Sequence, residues 1–384
     1  MTGMRRALST SLARIRDGDQ VLLGCTAILL VLGVMFSMAA SPSAAARIRI
    51  DEAFYFAARQ AAYAALGALL MLSMAAASVR TVRRVGVVLT VVFLPLCALA
   101  AWFAPEVKGA QRAFDFGVLS LQPSEILKPA LVIAWAWLLS AHAGGARQSF
   151  PSRAVAFFLF GLAAVSLLAQ PDIGQTALLS ITFAAMLLVS GVALRWLLAG
   201  GAAAALGGWA IYSFYPHARA RVDAFINPAG DAAYQVNRAL DAIAAGGVFG
   251  RGPGEGVIKR SLPDAHADFV FAVAAEEFGL LASLGVIALF AVIALRGLSR
   301  AGRMNPGFER LTVAGMVTLL TAQAAIHIAV NLSLLPAKGM TLPFISFGGS
   351  SMVGAAIAMG MCIAALREQP GVFAPSGQAA RAFT

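Results

Sequence analysis

One pattern constrains this chain more than any other. Predominantly apolar runs of roughly 20 residues recur from Val21 to Leu366, separated by short polar stretches. In hydrocarbon every backbone N–H and C=O must find its partner inside the segment, so runs of this length are read as membrane-crossing helices. Their repetition predicts an all-α fold, a polytopic integral membrane protein with about ten transmembrane helices. Composition agrees, with 60% of the 384 residues hydrophobic and 12% charged. The excess of 29 Lys and Arg over 18 Asp and Glu gives a net charge of +11. In a membrane protein such an excess reports orientation and contact with anionic membrane lipid, and it gives no reason to expect nucleic acid. Cys25, Cys97 and Cys362 lie inside apolar runs without metal-ligand spacing and are read as packing residues.

The runs are expected near residues 21–40, 54–78, 85–104, from Gln122 onward, and at 154–169, 177–192, 196–214, 269–295, 311–333 and 352–366. Arginines at 5–16, 80–84, 147–153 and 296–310 fall on alternate connections. The positive-inside bias makes those connections and both termini cytoplasmic. Residues 1–19 then form a cytoplasmic N-terminal segment, 20–367 a membrane domain and 368–384 a cytoplasmic tail. A large extracytoplasmic loop, 215–267, joins spans seven and eight. Within it Ala232–Ala245 has the periodicity of an interfacial amphipathic helix. The Gly-rich run Gly246–Gly256 lacks the preceding strand and the Gly-Lys-Ser/Thr of a nucleotide loop, and a mobile loop over a membrane site is expected instead.

With this topology the polar constellations collect on the extracytoplasmic side. Ser261–Gly279 brings His266 and Asp268 to the edge of a span that also carries Glu276 and Glu277. A charge within a span costs roughly 2.5–3.5 kcal/mol or more, which favours a functional or paired role. On a continuous helix Asp268 and Glu276 would lie about 80° apart and about 12 Å along the axis, close enough to share a cavity. Arg59 either snorkels to the interface or faces a polar cavity. Lys108 and Arg112, in the loop after span three, suit an anionic head group. Gln122 precedes a Pro-Ser-Glu helix start in which Glu125 and Lys128 are three apart and able to pair, in either a structural or a substrate-contacting role. Asp172 and Gln175 occupy a sharp polar turn. Gln323, His327 and Asn331 form one polar face of span nine. Leu335–Ser351, with Lys338, Ser346, Ser350 and Ser351, is expected to be a broken, re-entrant segment facing a cleft.

Several of these stretches together resemble the SEDS family of bacterial cell-wall proteins (shape, elongation, division and sporulation), from about residue 20 to 367. The shared motifs are KGAQR at 108–112, QPSE with Lys128, QPDIGQT at 170–176, the YQ…GG…G series at 234–250, HADFVFAVAAEEFG at 266–279 and LPAKGMTLPFISFGGSS at 335–351. Lys338-Gly339 before Thr341-Leu342-Pro343 is similar to the division-type branch rather than the elongation branch. Ala113, Ala267, Ala337 and Phe347 depart from common family residues without removing an ionisable group. The resemblance implies a peptidoglycan glycosyltransferase of the bacterial plasma (inner) membrane, working at the division site on lipid II. Asp268 would be the catalytic general base, and Arg59, Lys108, Arg112, Gln122, Glu125, Lys128, Asp172, Gln175, His266, Glu276, Lys338, Ser346, Ser350 and Ser351 would line the substrate site. His266 is the competing base, set in the loop before the span. The pyrophosphate leaving group needs cationic partners, either basic side chains or a divalent cation such as Mg or Mn. Implied partners are a class B penicillin-binding protein transpeptidase and other division proteins. A lipid flippase or transporter, an elongation-type polymerase, and a scaffold for a partner enzyme are the alternatives.

Overall fold

The computed structural model describes residues 13–106, 111–115, 120–140, 151–214, 219, 223, 231–262, 264–336 and 339–367. The helices are α1 Gln20–Arg47, α2 Tyr55–Ala76, α3 Val79–Phe103, α4 Pro123–Ser140, α5 Ser152–Ala169, α6 Ile173–Val189, α7 Leu194–Phe214, α8 Asp231–Gly246, α9 Val270–Arg303, α10 Phe308–Asn331 and α11 Gly349–Arg367. Two strands, β1 Phe114–Asp115 and β2 Ser120–Leu121, pair antiparallel, a small departure from the all-α expectation.

Among the described residues, seven helices (α1, α2, α3, α5, α9, α10 and α11) are long and apolar enough to cross a membrane. The figure of about ten spans requires α4, α6 and α7 to cross as well. Ile173–Val189 and Leu198–Phe214 are shorter apolar helices. The 18-residue α4 carries Glu125 and Lys128 and is buried at every position from Pro123 to Ala136. Its charges therefore face protein, the arrangement that makes an ionisable group tolerable at this depth. α11 is the other inner helix, buried almost throughout and packed on α2, α4 and α10. Small residues bring these helices together, as expected in lipid. A Cβ added at Gly354 on α11 would lie 2.3 Å from the Glu125 carbonyl oxygen.

At one end of the bundle Asp19 caps α1, accepting from the amides of Val21 and Leu22. The same carboxylate pairs with Arg296 at 2.8 Å and Arg300 at 3.2 Å on α9. Arg14 also donates to the Ala76 carbonyl at 3.1 Å, so the segment before α1, the α2–α3 connection and the C-terminal part of α9 lie together at that end. The polar connections meet at the opposite end. Ser350 bonds Ser120, the amide of Phe347 bonds His266, Gln60 bonds Ile345, and Arg112 bonds Pro171.

The eighth span is not the continuous helix expected. It breaks at Gly279, whose φ of 78° and ψ of −173° lie outside helical values. The break frees backbone groups on both sides, and the preceding loop takes them up. The amides of Arg251 and Gly252 donate to the carbonyls of Glu276 and Glu277, while the amides of Leu280 and Leu281 donate to those of Gly247 and Val248. The glycine-rich run is thus stitched into the span, and the mobile loop anticipated there is not what these bonds describe. The amphipathic helix is present as α8, with Ala239 and Ala242 buried against Leu262, Ala265, Phe269, Ala272 and Val273. Gly250 has φ of 84°, and a Cβ added to it would lie 2.1 Å from the Glu277 carbonyl oxygen. Gly250→Ala is expected to lower the thermal unfolding temperature of the purified protein. The left-handed backbone alone costs an L-residue about 1–2 kcal/mol, and the contact adds to it. An unchanged unfolding temperature would mean that the loop is not held in the break.

Candidate active site

Asp268 lies just before α9, which starts at Val270 with Phe269 as its cap. Its backbone is gripped from two sides. The carbonyl of His266 accepts from the amide of Phe347 at 3.0 Å, that of Ala267 from Ser346 Oγ at 2.7 Å, and that of Asp268 from Asn331 Nδ2 at 3.1 Å. The segment 339–348 and the end of α10 therefore set where the Asp268 carboxylate emerges. It emerges beside Gly339, where an added Cβ would lie 3.4 Å from Asp268 Oδ2 and 3.8 Å from Arg112 Nη1. A carboxylate and a guanidinium thus converge on a glycine that leaves space between them.

Arg112 also faces Asp172, Nε to Oδ2 at 3.7 Å, and its Nη2 donates to the Pro171 carbonyl at 3.4 Å. Asp172 caps α6 by accepting from the amide of Gln175 at 3.2 Å. Burial pushes the Asp172 carboxyl above the ordinary carboxylate range, and the Arg112 guanidinium opposes that shift.

Beneath this pair runs a buried polar chain. Gln175 Nε2 donates to Glu125 Oε1 at 2.8 Å, and Glu125 Oε2 pairs with Lys128 Nζ at 2.9 Å. Lys128 donates to Gln323 Oε1 at 2.8 Å, and Gln323 donates to the Thr341 carbonyl at 2.9 Å. Thr341 Oγ1 meets Ser351 Oγ. His327 Nδ1 lies 2.7 Å from the Met340 carbonyl oxygen. The charges of Glu125 and Lys128 thus balance inside the protein, and the chain ties α4, α6, α10 and the 339–351 segment into one unit.

Gln122 and Ser350 belong to the same assembly, the Gln122 amide donating to Ser350 Oγ at 3.0 Å and Ser350 Oγ to the Ser120 carbonyl at 2.9 Å. Arg59 bonds the Tyr55 hydroxyl and lies over that ring at 5.1 Å. Its neighbour Gln60 reaches the carbonyls of Ile345 and Ser346, at 3.2 and 3.3 Å. Lys108 and Lys338 lie outside the described residues.

Two expectations need correction. Glu276 is fully buried and is taken up by the preceding loop rather than shared with Asp268. Its carboxylate accepts from the amides of Val257, Ile258 and Lys259 at 2.7, 2.7 and 2.9 Å, closing the end of the stitched loop. Glu277 does the same from the other side, pairing with Lys259 and accepting from the Gly254 amide. His266 is also more firmly placed than its loop position suggested. Its ring packs against Phe56 at 4.3 Å, the planes tilted by 34°, and meets Phe347 edge-on at 5.3 Å.

The polar face of α10 carries more of the site than any single candidate on it had indicated. Gln323, His327 and Asn331 are all buried and all bonded to the segments around Asp268. Their four-residue spacing was the available signal. Thr341 lay within the segment expected to face a cleft and was not singled out there. Among the described residues no group of three or more His, Cys, Asp or Glu side chains is gathered. Among the described residues, the Arg112 guanidinium reaches the space beside the Asp268 carboxylate.

Beside the stitched loop is a groove of about 860 Å³ lined by Met35, Met38, Pro42 and Phe278, with Arg47 and Arg260 among its residues. Arg47 donates to the Arg260 carbonyl at 2.8 Å. Both guanidiniums are exposed. The groove is apolar along α1 and cationic near the end of that helix.

Comparison with known proteins covers nearly the whole chain. Residues 19–370 match the cell cycle protein family FtsW/RodA/SpoVE. A Caulobacter vibrioides protein named "Probable peptidoglycan glycosyltransferase FtsW" is 43% identical over 360 residues, covering 94% of this chain and 92% of that protein. A Legionella pneumophila protein of the same name is 34% identical over 346 residues, covering 87% of each. Among solved structures, a chain from work on polymerization and crosslinking by a peptidoglycan synthase complex superposes with a TM-score of 0.75 at 27% identity, covering 92% of this chain and 99% of that one. Thermus thermophilus rod shape determining protein RodA superposes with a TM-score of 0.66 at 25% identity, covering 92% and 98%.

Proposed function

The chain belongs to the FtsW/RodA/SpoVE family, and from that premise we propose that it is a peptidoglycan glycosyltransferase that polymerises lipid II on the outer face of the bacterial plasma membrane. The observation that carries the reading is the convergence of Asp268 and Arg112 on the space beside Gly339. Transfer from a polyprenyl pyrophosphate asks for two things of a protein. A weak sugar nucleophile needs a base, and a departing pyrophosphate needs positive charge. Asp268 removes the proton from the acceptor 4-hydroxyl as its oxygen bonds to the donor anomeric carbon. The bond from that carbon to the pyrophosphate oxygen breaks, and the polyprenyl pyrophosphate leaves with the electron pair. Arg112 balances the charge that develops. One base suffices, unlike the paired carboxylates of glycoside hydrolysis.

The substrate is half lipid and half charged sugar, and the groove with Arg47 and Arg260 has that dual character. In this reading both termini are cytoplasmic and the Asp268 end of the bundle is extracytoplasmic. The protein acts at the division site beside a class B penicillin-binding protein transpeptidase and other division proteins. Similarity to proteins named FtsW favours the division role over the elongation role. Those relatives are named as glycosyltransferases, which favours polymerisation over transport.

The test is polymerisation of lipid II by the purified protein, with and without its cognate transpeptidase. Long glycan strands in at least one condition are expected. Movement of lipid II across liposomes without polymer in either condition would establish the flippase instead.

A further inference from the structure

We propose that Ser346 and Asn331 are positioning residues that aim the Asp268 carboxylate, and that Ser346 does not bind substrate. The inference rests on the reading of Asp268 as general base and identifies what holds that base in place. Three consecutive carbonyls, those of His266, Ala267 and Asp268, each receive one donor, and the donors come from two elements remote in sequence. Side chains supply two of the three.

Each of those side chains has its orientation set by a second bond. Ser346 Oγ accepts from the Leu342 amide at 2.7 Å, so its single proton points to the Ala267 carbonyl. That hydroxyl is 3% exposed as a residue and has no second proton for a sugar or phosphate. Asn331 Oδ1 accepts from the Ala272 amide at 3.2 Å, one of the free amides in the first turn of α9. This fixes which end of the amide faces Asp268, and Nδ2 then donates to the carbonyls of Asp268 and His327 at 3.1 and 2.9 Å. Asn331 is 0% exposed. It caps α9 from another helix and ties the peptide of the base to α10 in the same stroke.

A peptide pinned at three successive carbonyls has little freedom to tilt. Losing one pin lets the carboxylate drift by a fraction of an ångström to an ångström, and a displacement of that size costs on the order of 10²-fold in a well-oriented reaction. Binding of lipid II depends on other groups and should not change.

The experiment compares Ser346→Ala, Ser346→Thr and Asn331→Ala in the lipid II polymerisation assay, each alone and in an Asp268→Asn background. Ser346→Ala and Asn331→Ala should each lower kcat by roughly 10- to 100-fold with KM unchanged. Ser346→Thr, which keeps the hydroxyl, should recover most of the rate. In the Asp268→Asn background neither alanine variant should reduce the residual rate further, because each acts only through the carboxylate. Wild-type kcat in both alanine variants, a raised KM with kcat unchanged, or a further tenfold loss in the Asp268→Asn background would each overturn the proposal. Should Ser346→Ala not fold, Asn331→Ala carries the same outcomes. Failure of the underlying reading is distinct, since it would be seen as a near wild-type rate in Asp268→Asn alone.

Discussion

Asp268→Asn extends glycan chains at about 10²–10⁴-fold below the wild-type rate, the usual loss for a general base. The substitution keeps the size and hydrogen-bonding capacity of the side chain and removes its basicity. The bonds accepted by the carbonyls of residues 266–268 are main-chain features, which the change leaves in place. Folding, membrane insertion and binding of the partner should therefore survive, and the loss should appear in kcat. Rates come from a continuous or gel-based polymerisation assay on the purified protein, with thermal unfolding as the folding control. His266→Ala is the informative companion. That ring packs against Phe56 and Phe347, so its removal loosens a local contact rather than the chemistry. A near wild-type rate for Asp268→Asn, alongside an inactive and folded His266→Ala, would transfer the base to His266.

Lys128→Met produces the largest expected loss of stability. Lys128 and Glu125 pair at 2.9 Å with side chains 3% and 5% exposed. Removing one partner leaves an uncompensated buried charge, which costs about 3–5 kcal/mol. Gln175 still donates to Glu125, but a single amide does not replace an ammonium. The double variant Glu125→Gln, Lys128→Met leaves no buried charge at this site and should recover much of the loss, because exchanging a whole buried pair is often close to neutral. Thermal unfolding in detergent and the yield of monodisperse protein report both. An unfolding temperature for Lys128→Met equal to that of the wild type would show that the pair is not insulated from water.

Much of this protein is legible in one dimension. Membrane helices announce themselves because hydrocarbon imposes a length and a composition on each segment independently of its neighbours. The arginine clusters and the helix-starting Gln122-Pro123-Ser124-Glu125 are local signals of the same kind. The pairing of Glu125 with Lys128 follows from three-residue spacing alone. The motifs around Asp172, Asp268 and 335–351 were visible as polar breaks between apolar runs.

What joins those breaks depends on three-dimensional packing. Gly279 sits within an apolar stretch, and its sequence context does not distinguish a helical glycine from one that ends the helix. The break exists because the Gly246–Gly252 backbone arrives to bond the freed groups, an encounter between segments whose meeting no local pattern encodes. The same holds for Glu276. Helical periodicity allowed it to share a cavity with Asp268, yet the helix starts after Asp268, and three amides of the 257–259 turn claim its carboxylate. Arg112 meets Asp172, Ser346 meets Ala267 and Asn331 meets Asp268 across separations of 60, 79 and 63 residues. Local chemistry determined that these residues are polar and near one end of the membrane. Only the tertiary structure decided which of them hold Asp268, because a buried donor bonds to whatever acceptor packing brings within reach.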